Sequence, residues 1–210
     1  VVIIGCDEHC RLEIKSKNGR WRVGEHINIG RNYLCYALLA DVRNYNYVKP
    51  IDEFRGLPDD VTKIVQNASD AYGSDGHSHT HLYLNELLDF DYSKVKSKKT
   101  YKLNMIQYER YINGASLAIE GEQSYKNYLM TNYSEDPKRV SEKAMRDLLK
   151  DPDNRLLKEL KPNAYRTEVI SIEVLEKSEF SNITIAIGQI RKDHPRTDPK
   201  DMRLVMWFDN

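Results

Sequence analysis

Residues 72–92 read YGSDGHSHTHLYLNELLDFDY, and the fold turns on how this stretch is understood. It carries three of the chain's six histidines, His77, His79 and His81, at alternate positions. Asp70 and Asp75 precede them; Asp89 and Asp91 follow. The turn Gly73-Ser74-Asp75-Gly76 and the apolar residues Leu84, Leu87 and Leu88 predict a loop feeding a short helix. Were 77–81 a strand instead, alternation would set all three imidazoles on one face. Such a set, with carboxylates nearby, suits zinc, manganese or iron, and a divalent metal is the cofactor it implies. Without metal, His77 and His79 read as acid–base catalysts, each beside a hydroxyl, Ser78 or Thr80, that can bind phosphate. A third reading gives the segment only a turn-forming role.

Upstream, residues 44–74 are long and irregular, broken by Pro50, Gly56 and Pro58. Pro58-Asp59-Asp60 predicts a short helix through Val65. Long loops in compact domains serve as lids or binding loops, and Tyr45, Tyr47, Phe54 and Arg55 suit stacking on a ring. Further back, Asn32 predicts a helix cap. Leu34, Cys35, Leu38, Leu39 and Val42 then form one apolar stripe, leaving Tyr33, Tyr36, Asp41 and Arg43 outside. The amino end of this helix, Gly30-Arg31-Asn32, can hold an anion. Leu12 and Ile14 alternate with charged residues, and Asn18-Gly19 predicts a type I′ hairpin returning through Trp21, Val23, Ile27 and Ile29.

Downstream, the basic run VKSKKTYK (95–102) reads as a solvated linker. Residues 103–160 are polar, tyrosine-rich and helical in pattern. Met105, Tyr108 and Ile112 form one stripe. Val140, Ala144, Leu148 and Leu149 form another after the Ser141 cap, bracketed by Asp136-Pro137 and Asp151-Pro152. Val169 to Leu175 alternates as a strand, and Phe180, Ile183, Ile187 and Ile190 step as a helix. Residues 203–208 are apolar on both faces, which places that strand centrally. These signals predict an α+β fold: an antiparallel or mixed sheet with helices on one face and a helical insertion. Residues 1–100 and 161–210 make the core domain; 101–160 make the insertion. If the first and last strands are antiparallel neighbours, Asp7, His9 and Asp209 meet at one sheet end.

Lysine plus arginine equals aspartate plus glutamate, 32 each, so the chain lacks the cation excess of a duplex nucleic-acid binder. The apolar run Val1–Ile4 is too short for a membrane span, and no apolar run in the sequence approaches that length. Cys6, Cys10 and Cys35 are too few for a disulfide framework and suit a reducing cytosol. Cys6 and Cys10 flank His9, which raises zinc, but four-residue spacing on a strand equally makes them core thiols.

The frames GRNYLCYALLADVRN (30–44), RGLPDD (55–60), DGHSHTHLYLNELLDFD (75–91) and RLVMWFDN (203–210) resemble a family of small proteins of tailed bacteriophages and prophages. The resemblance spans 6–91 and 203–210. It implies a phage accessory protein of the host bacterial cytoplasm, of the kind that counters host defence by binding host proteins or by holding or cleaving nucleotide signals. The expected ligand is a small phosphorylated molecule of nucleotide type. It would lie between the 45–60 loop, the 77–81 segment and the amino end of the 31–43 helix. Arg31, Asn32, Arg43, Arg55, Ser78, Thr80, Asp7 and Asp209 are its candidate contacts, with His77 and His79 catalytic. Alternatives are a metal-dependent hydrolase built on His77, His79 and His81, and a protein–protein inhibitor of a host factor, monomeric or oligomeric, that uses its tyrosines as an interface.

Overall fold

A computed structural model describes residues 5–117 and 138–210. Val1–Ile4 and the Asp136-Pro137 breaker lie outside the described residues. The chain forms two compact units, Val1–Ser97 with Val174–Asn210, and Lys98–Glu173. The class is α+β.

In the first unit, β1 (Asp7–Lys15) and β2 (Trp21–His26) form the expected hairpin. Only Gly19 takes a positive φ, +81°. Ser16 N donates to Arg20 O at 2.8 Å. The connection is therefore a three-residue loop with a left-handed glycine, not a two-residue type I′ turn, which needs positive φ at both Asn18 and Gly19.

Helix α1 (Tyr33–Ala40) begins as predicted: Asn32 Oδ1 accepts from Leu34 N at 3.0 Å and Cys35 N at 3.1 Å. Its burial is not a stripe. Every residue from Cys35 to Ala40 is buried, and Tyr36, expected outside, packs edge-on to Phe208 with centroids 5.1 Å apart. A helix apolar nearly all round is a core helix.

The elements α2 (Lys63–Asp70), β3 (His77–Tyr83), α3 (Leu84–Asp89), α7 (Ser181–Asp193) and β7 (Met202–Asp209) complete the unit. The sheet order is β2-β1-β7-β3, with β7 antiparallel to both neighbours. That central place explains why β7 is apolar on both faces. Met202, Leu204, Met206 and Phe208 pack with Cys10, Leu12 and Leu82 under α1, α3 and α7. Val205 and Trp207 face the other way, against Val65 of α2 and the Leu57–Val61 segment. The main helices share one face, and α2 lies over the other. The three cysteines are free and buried.

The second face also holds a charge network. Arg203 is 1% exposed and Glu13 0%. Arg203 Nε donates to Glu13 Oε2 at 2.8 Å and Nη1 to Asp60 Oδ1 at 2.6 Å. Glu13 Oε1 accepts from Thr62 N at 2.7 Å, and Trp21 Nε1 donates to Asp60 Oδ2 at 2.7 Å. The Trp21 ring lies 3.9 Å from the Arg203 guanidinium carbon, a cation–π contact. Burial alone would raise the Asp60 pKa, but the bonds from Arg203 and Trp21 outweigh it and hold the carboxyl below its usual range. The network ties the RGLPDD frame to β1 and β7.

The segment read as a loop, 77–81, is β3. Thr80 pairs with Met206 and Leu82 with Leu204, while His77 pairs with Phe208, so one extra residue is accommodated between His77 and Thr80. Ser78, with φ +56°, carries this bulge. The strand forms despite its polar sequence because β7 offers a free edge, and each histidine meets a structured surround.

In the second unit, β4 (Lys96–Asn104), α4 (Met105–Ile112), β5 (Lys138–Arg139), α5 (Glu142–Lys150), α6 (Arg155–Leu160) and β6 (Tyr165–Val174) enclose Leu103, Met105, Tyr108, Met145 and Val169. Its sheet runs β4-β6-β5, with β5 parallel to β6. Two expectations change here. The basic run is strand β4 rather than a linker, and the 169–175 strand pairs with it rather than with the first sheet. Glu173 accounts for both, binding Lys99 Nζ at 2.7 Å and the Tyr101 hydroxyl at 2.9 Å. Cross-strand charge pairing hides a strand inside a lysine run. No helix among the described residues is long and apolar enough to cross a membrane.

Candidate functional site

Antiparallel pairing of β1 and β7 places Asp7 opposite Asp209, Glu8 opposite Phe208 and His9 opposite Trp207. These rungs form one end of the sheet. Arg31 reaches Asp7 Oδ1 through Nε at 3.0 Å and Nη2 at 2.5 Å. The guanidinium passes so close to Gly5 that a Cβ there would lie 2.9 Å from Nη1. Arg43 Nη2 donates to Asn210 Oδ1 at 2.7 Å and Nη1 to the Tyr45 hydroxyl at 3.2 Å. Arg43 itself has φ +51°, as does Asp41. Left-handed backbone at non-glycine residues is sparse, and it gathers at ligand clamps and switches.

On the α1 side of the sheet, Glu8 and His77 flank Phe208, one from β1 and one from β3. The His77 ring lies 6.4 Å from that of Phe208, and its Nδ1 is 2.8 Å from Ser78 Oγ. His77 Nε2 and Glu8 Oε1 are buried with no hydrogen-bond partner among the described residues. Burial pushes the Glu8 carboxyl up to about 7, with the Ile29 N–H opposing and Asp7 adding. Burial, then Glu8 and Asp7, also push the Tyr36 phenol up. A carboxyl whose pKa is pushed up toward neutrality, across Phe208 from an imidazole with an open nitrogen, can exchange a proton with a bound molecule.

Glu8 has a thermodynamic signature. Its raised pKa means the fold holds the proton more tightly than the unfolded chain does. Stability from this group is full below about 4.5 and declines as pH rises to about 7. Glu8→Gln is expected to raise stability above neutrality by about 1–2 kcal/mol, allowing for solvent screening of a partly exposed group, and to leave it unchanged near pH 4. Denaturant midpoints measured across this range check the result; equal midpoints at every pH would mean the carboxylate is compensated in the fold.

On the α2 side, the His9 ring is tilted against Tyr72, with centroids 4.3 Å apart, and stacks on Trp207, at 5.4 Å. His9 Nδ1 is 3.2 Å from the Tyr72 hydroxyl, and Nε2 is 3.6 Å from Asp209 Oδ2. His79 Nε2 meets Ser69 Oγ at 2.8 Å. Burial, then the charge of His77, lowers the His79 pKa, and Asp70 opposes. Trp207 Nε1 is buried without a partner among the described residues.

The bulge decides the fate of the histidine motif. His77 shares a face with Phe208, while His79 turns to Ser69 of α2 and His81 pairs with Val205, on the opposite face. His81 Nδ1 is 3.0 Å from Gly56 O. The three imidazoles do not converge, and no cluster of three or more histidine, cysteine, aspartate or glutamate residues among the described ones is placed to hold a metal. His77 and His79 lie on opposite faces of β3. Asn32 is engaged as the α1 cap and donates to Glu179 O at 2.9 Å. Arg55 is clamped to Glu86 at 2.9 and 2.7 Å and to Asp52. Thr80 is buried beside the Arg55 backbone. The structure thus gathers Asp7, Arg31, Arg43, His77, Ser78 and Asp209 at the sheet end and sets Asn32, Arg55 and Thr80 to other work. Glu8, Tyr36, Tyr72 and Trp207 join the site without having been singled out. Glu8 was findable: it is in phase with Cys10, Leu12 and Ile14, so its carboxylate occupies an inward strand position.

Comparison with family models, with curated proteins and with solved structures finds no match to this chain.

Proposed function

We propose that the chain is a phage accessory protein, acting in the host cytoplasm, that binds a small phosphorylated ligand of nucleotide type at the sheet end. The reading is carried by one observation: four of the seven buried side-chain atoms without a hydrogen-bond partner among the described residues gather at the sheet end, Glu8 Oε1 and His77 Nε2 on the α1 face and His9 Nε2 and Trp207 Nε1 on the α2 face. Buried polar groups without partners are uncommon, and a ligand that supplies the partners explains their concentration. Arg31 and Arg43 stand at the rim. The Arg31–Asp7 pair is more than half exposed on both sides, so it is worth little, and a phosphate can compete for the guanidinium. Exposed Tyr45 and Tyr47 lie beside Arg43 in sequence and offer ring faces.

Calorimetric titration with cyclic nucleotides and ADP-ribose tests the proposal. His77→Ala, and at least one of Arg31→Ala and Arg43→Ala, are expected to weaken binding about tenfold or more, or about 1.4 kcal/mol. If a nucleotide binds the wild type and all of these variants equally well, the site is elsewhere. If none binds, the host-protein inhibitor reading takes its place.

A further inference from the structure

On the α2 side of the sheet end a tyrosine, a histidine and a carboxylate follow one another. The Tyr72 hydroxyl is 3.2 Å from His9 Nδ1, and His9 Nε2 faces Asp209 Oδ2 at 3.6 Å. If Tyr72 donates, Nδ1 is the acceptor and the imidazole proton sits on Nε2, toward Asp209. Tyr72 lies just beyond α2, one turn from Ser69, and is half-buried. His9 packs against both the Tyr72 and Trp207 rings, which also touch each other edge-on. This is the order of groups that activates a hydroxyl: a nucleophile in reach of a base, and the base oriented by a carboxylate. The second contact, at 3.6 Å, is electrostatic rather than a hydrogen bond and has to shorten for Asp209 to orient the imidazole in catalysis.

The geometry points to Tyr72 as the nucleophile, His9 as the base and Asp209 as the group positioning His9, in the cleavage of a phosphodiester. The inference rests on the ligand reading above and adds that the ligand is turned over. Tyr72 Oη forms a bond to phosphorus while the bond from phosphorus to the leaving alcohol oxygen breaks. The phenol proton passes to His9 Nδ1 and from there to the departing oxygen. Water then attacks the phosphotyrosine and gives its proton to His9. The bond between phosphorus and Tyr72 breaks, and the proton returns to the phenol. The sum is diester plus water giving monoester plus alcohol, with no oxidant or further reactant. Arg31 is held by Asp7, two residues from His9 on the same face of β1. From there it can neutralise the phosphoryl oxygens.

The test uses the full chain with bis(p-nitrophenyl) phosphate and 3′,5′-cyclic AMP, following product release and intact protein mass. Wild type is expected to turn over at least one of them and to show a transient mass adduct on Tyr72. Tyr72→Phe keeps the ring against His9 but removes the oxygen; it is expected to lose the adduct and at least about a hundredfold in rate. Asp209→Asn is expected to retain the adduct while shifting the pH dependence of its formation, a readout that a packing role would not move. Wild-type rates in Tyr72→Phe, or no turnover by the wild type, overturn the inference. Titration of the same two probes separates the causes: binding without turnover removes only the reaction, whereas no binding removes the ligand reading as well.

Discussion

Glu13→Ala is expected to destabilise the fold by about 3–5 kcal/mol, because it breaks a buried ion pair by removing one partner. The change leaves the Arg203 guanidinium, 1% exposed, without the carboxylate that accepts its Nε bond at 2.8 Å. It also takes the acceptor from Thr62 N. Asp60 still holds Arg203 Nη1, so the loss comes from incomplete pairing of a buried charge rather than from total isolation. Replacing both partners by apolar residues, Glu13→Leu with Arg203→Met, is expected to recover most of the loss, because desolvation of the pair disappears with the pair. Urea midpoints of the single and double variants make the comparison. A midpoint for Glu13→Ala equal to wild type would mean that water reaches Arg203 in the fold.

Leu38→Ala is expected to lose about 2–5 kcal/mol through the cavity it leaves. Leu38 is fully buried in the cluster that joins α1 to Met206 and Phe208, with no exposed neighbour on its helix from Cys35 to Ala40. A helix enclosed on all sides has little room to collapse into a void, which places the loss toward the upper part of that range. Thermal and urea unfolding measure it. A shift within about 0.5 kcal/mol, the scale of surface substitutions, would put Leu38 outside the core.

The elements with strong periodicity were legible from residues alone. The β1–β2 hairpin, the Asn32 cap, α7 with its isoleucines and the doubly apolar β7 were all expected from spacing, and so was the meeting of Asp7, His9 and Asp209. What escaped had physical cover. Strand β4 is disguised by lysines whose partner, Glu173, lies far along the chain. Tyr36 looks like a surface residue until the helix is seen to be buried all round. At the site, the histidine motif was conspicuous but its geometry was not, since nothing in HSHTH announces that Ser78 will adopt φ +56°. Trp207 gains its place through pairing across strands and Tyr72 through packing on His9, which no local window contains.

The bulge at Ser78 is in effect a phase shift of half a period in a two-residue wave. Ahead of it, His77 is in step with the α1 side; behind it, His79 and His81 are in step with the other. Take that single residue of slack away and alternation runs unbroken, so all three imidazoles fall into line on one surface, the very layout from which metal sites are made. The chain spells a metal motif and its backbone scans it differently. Two strands with identical letters can therefore support different chemistry, and the difference resides in one backbone angle.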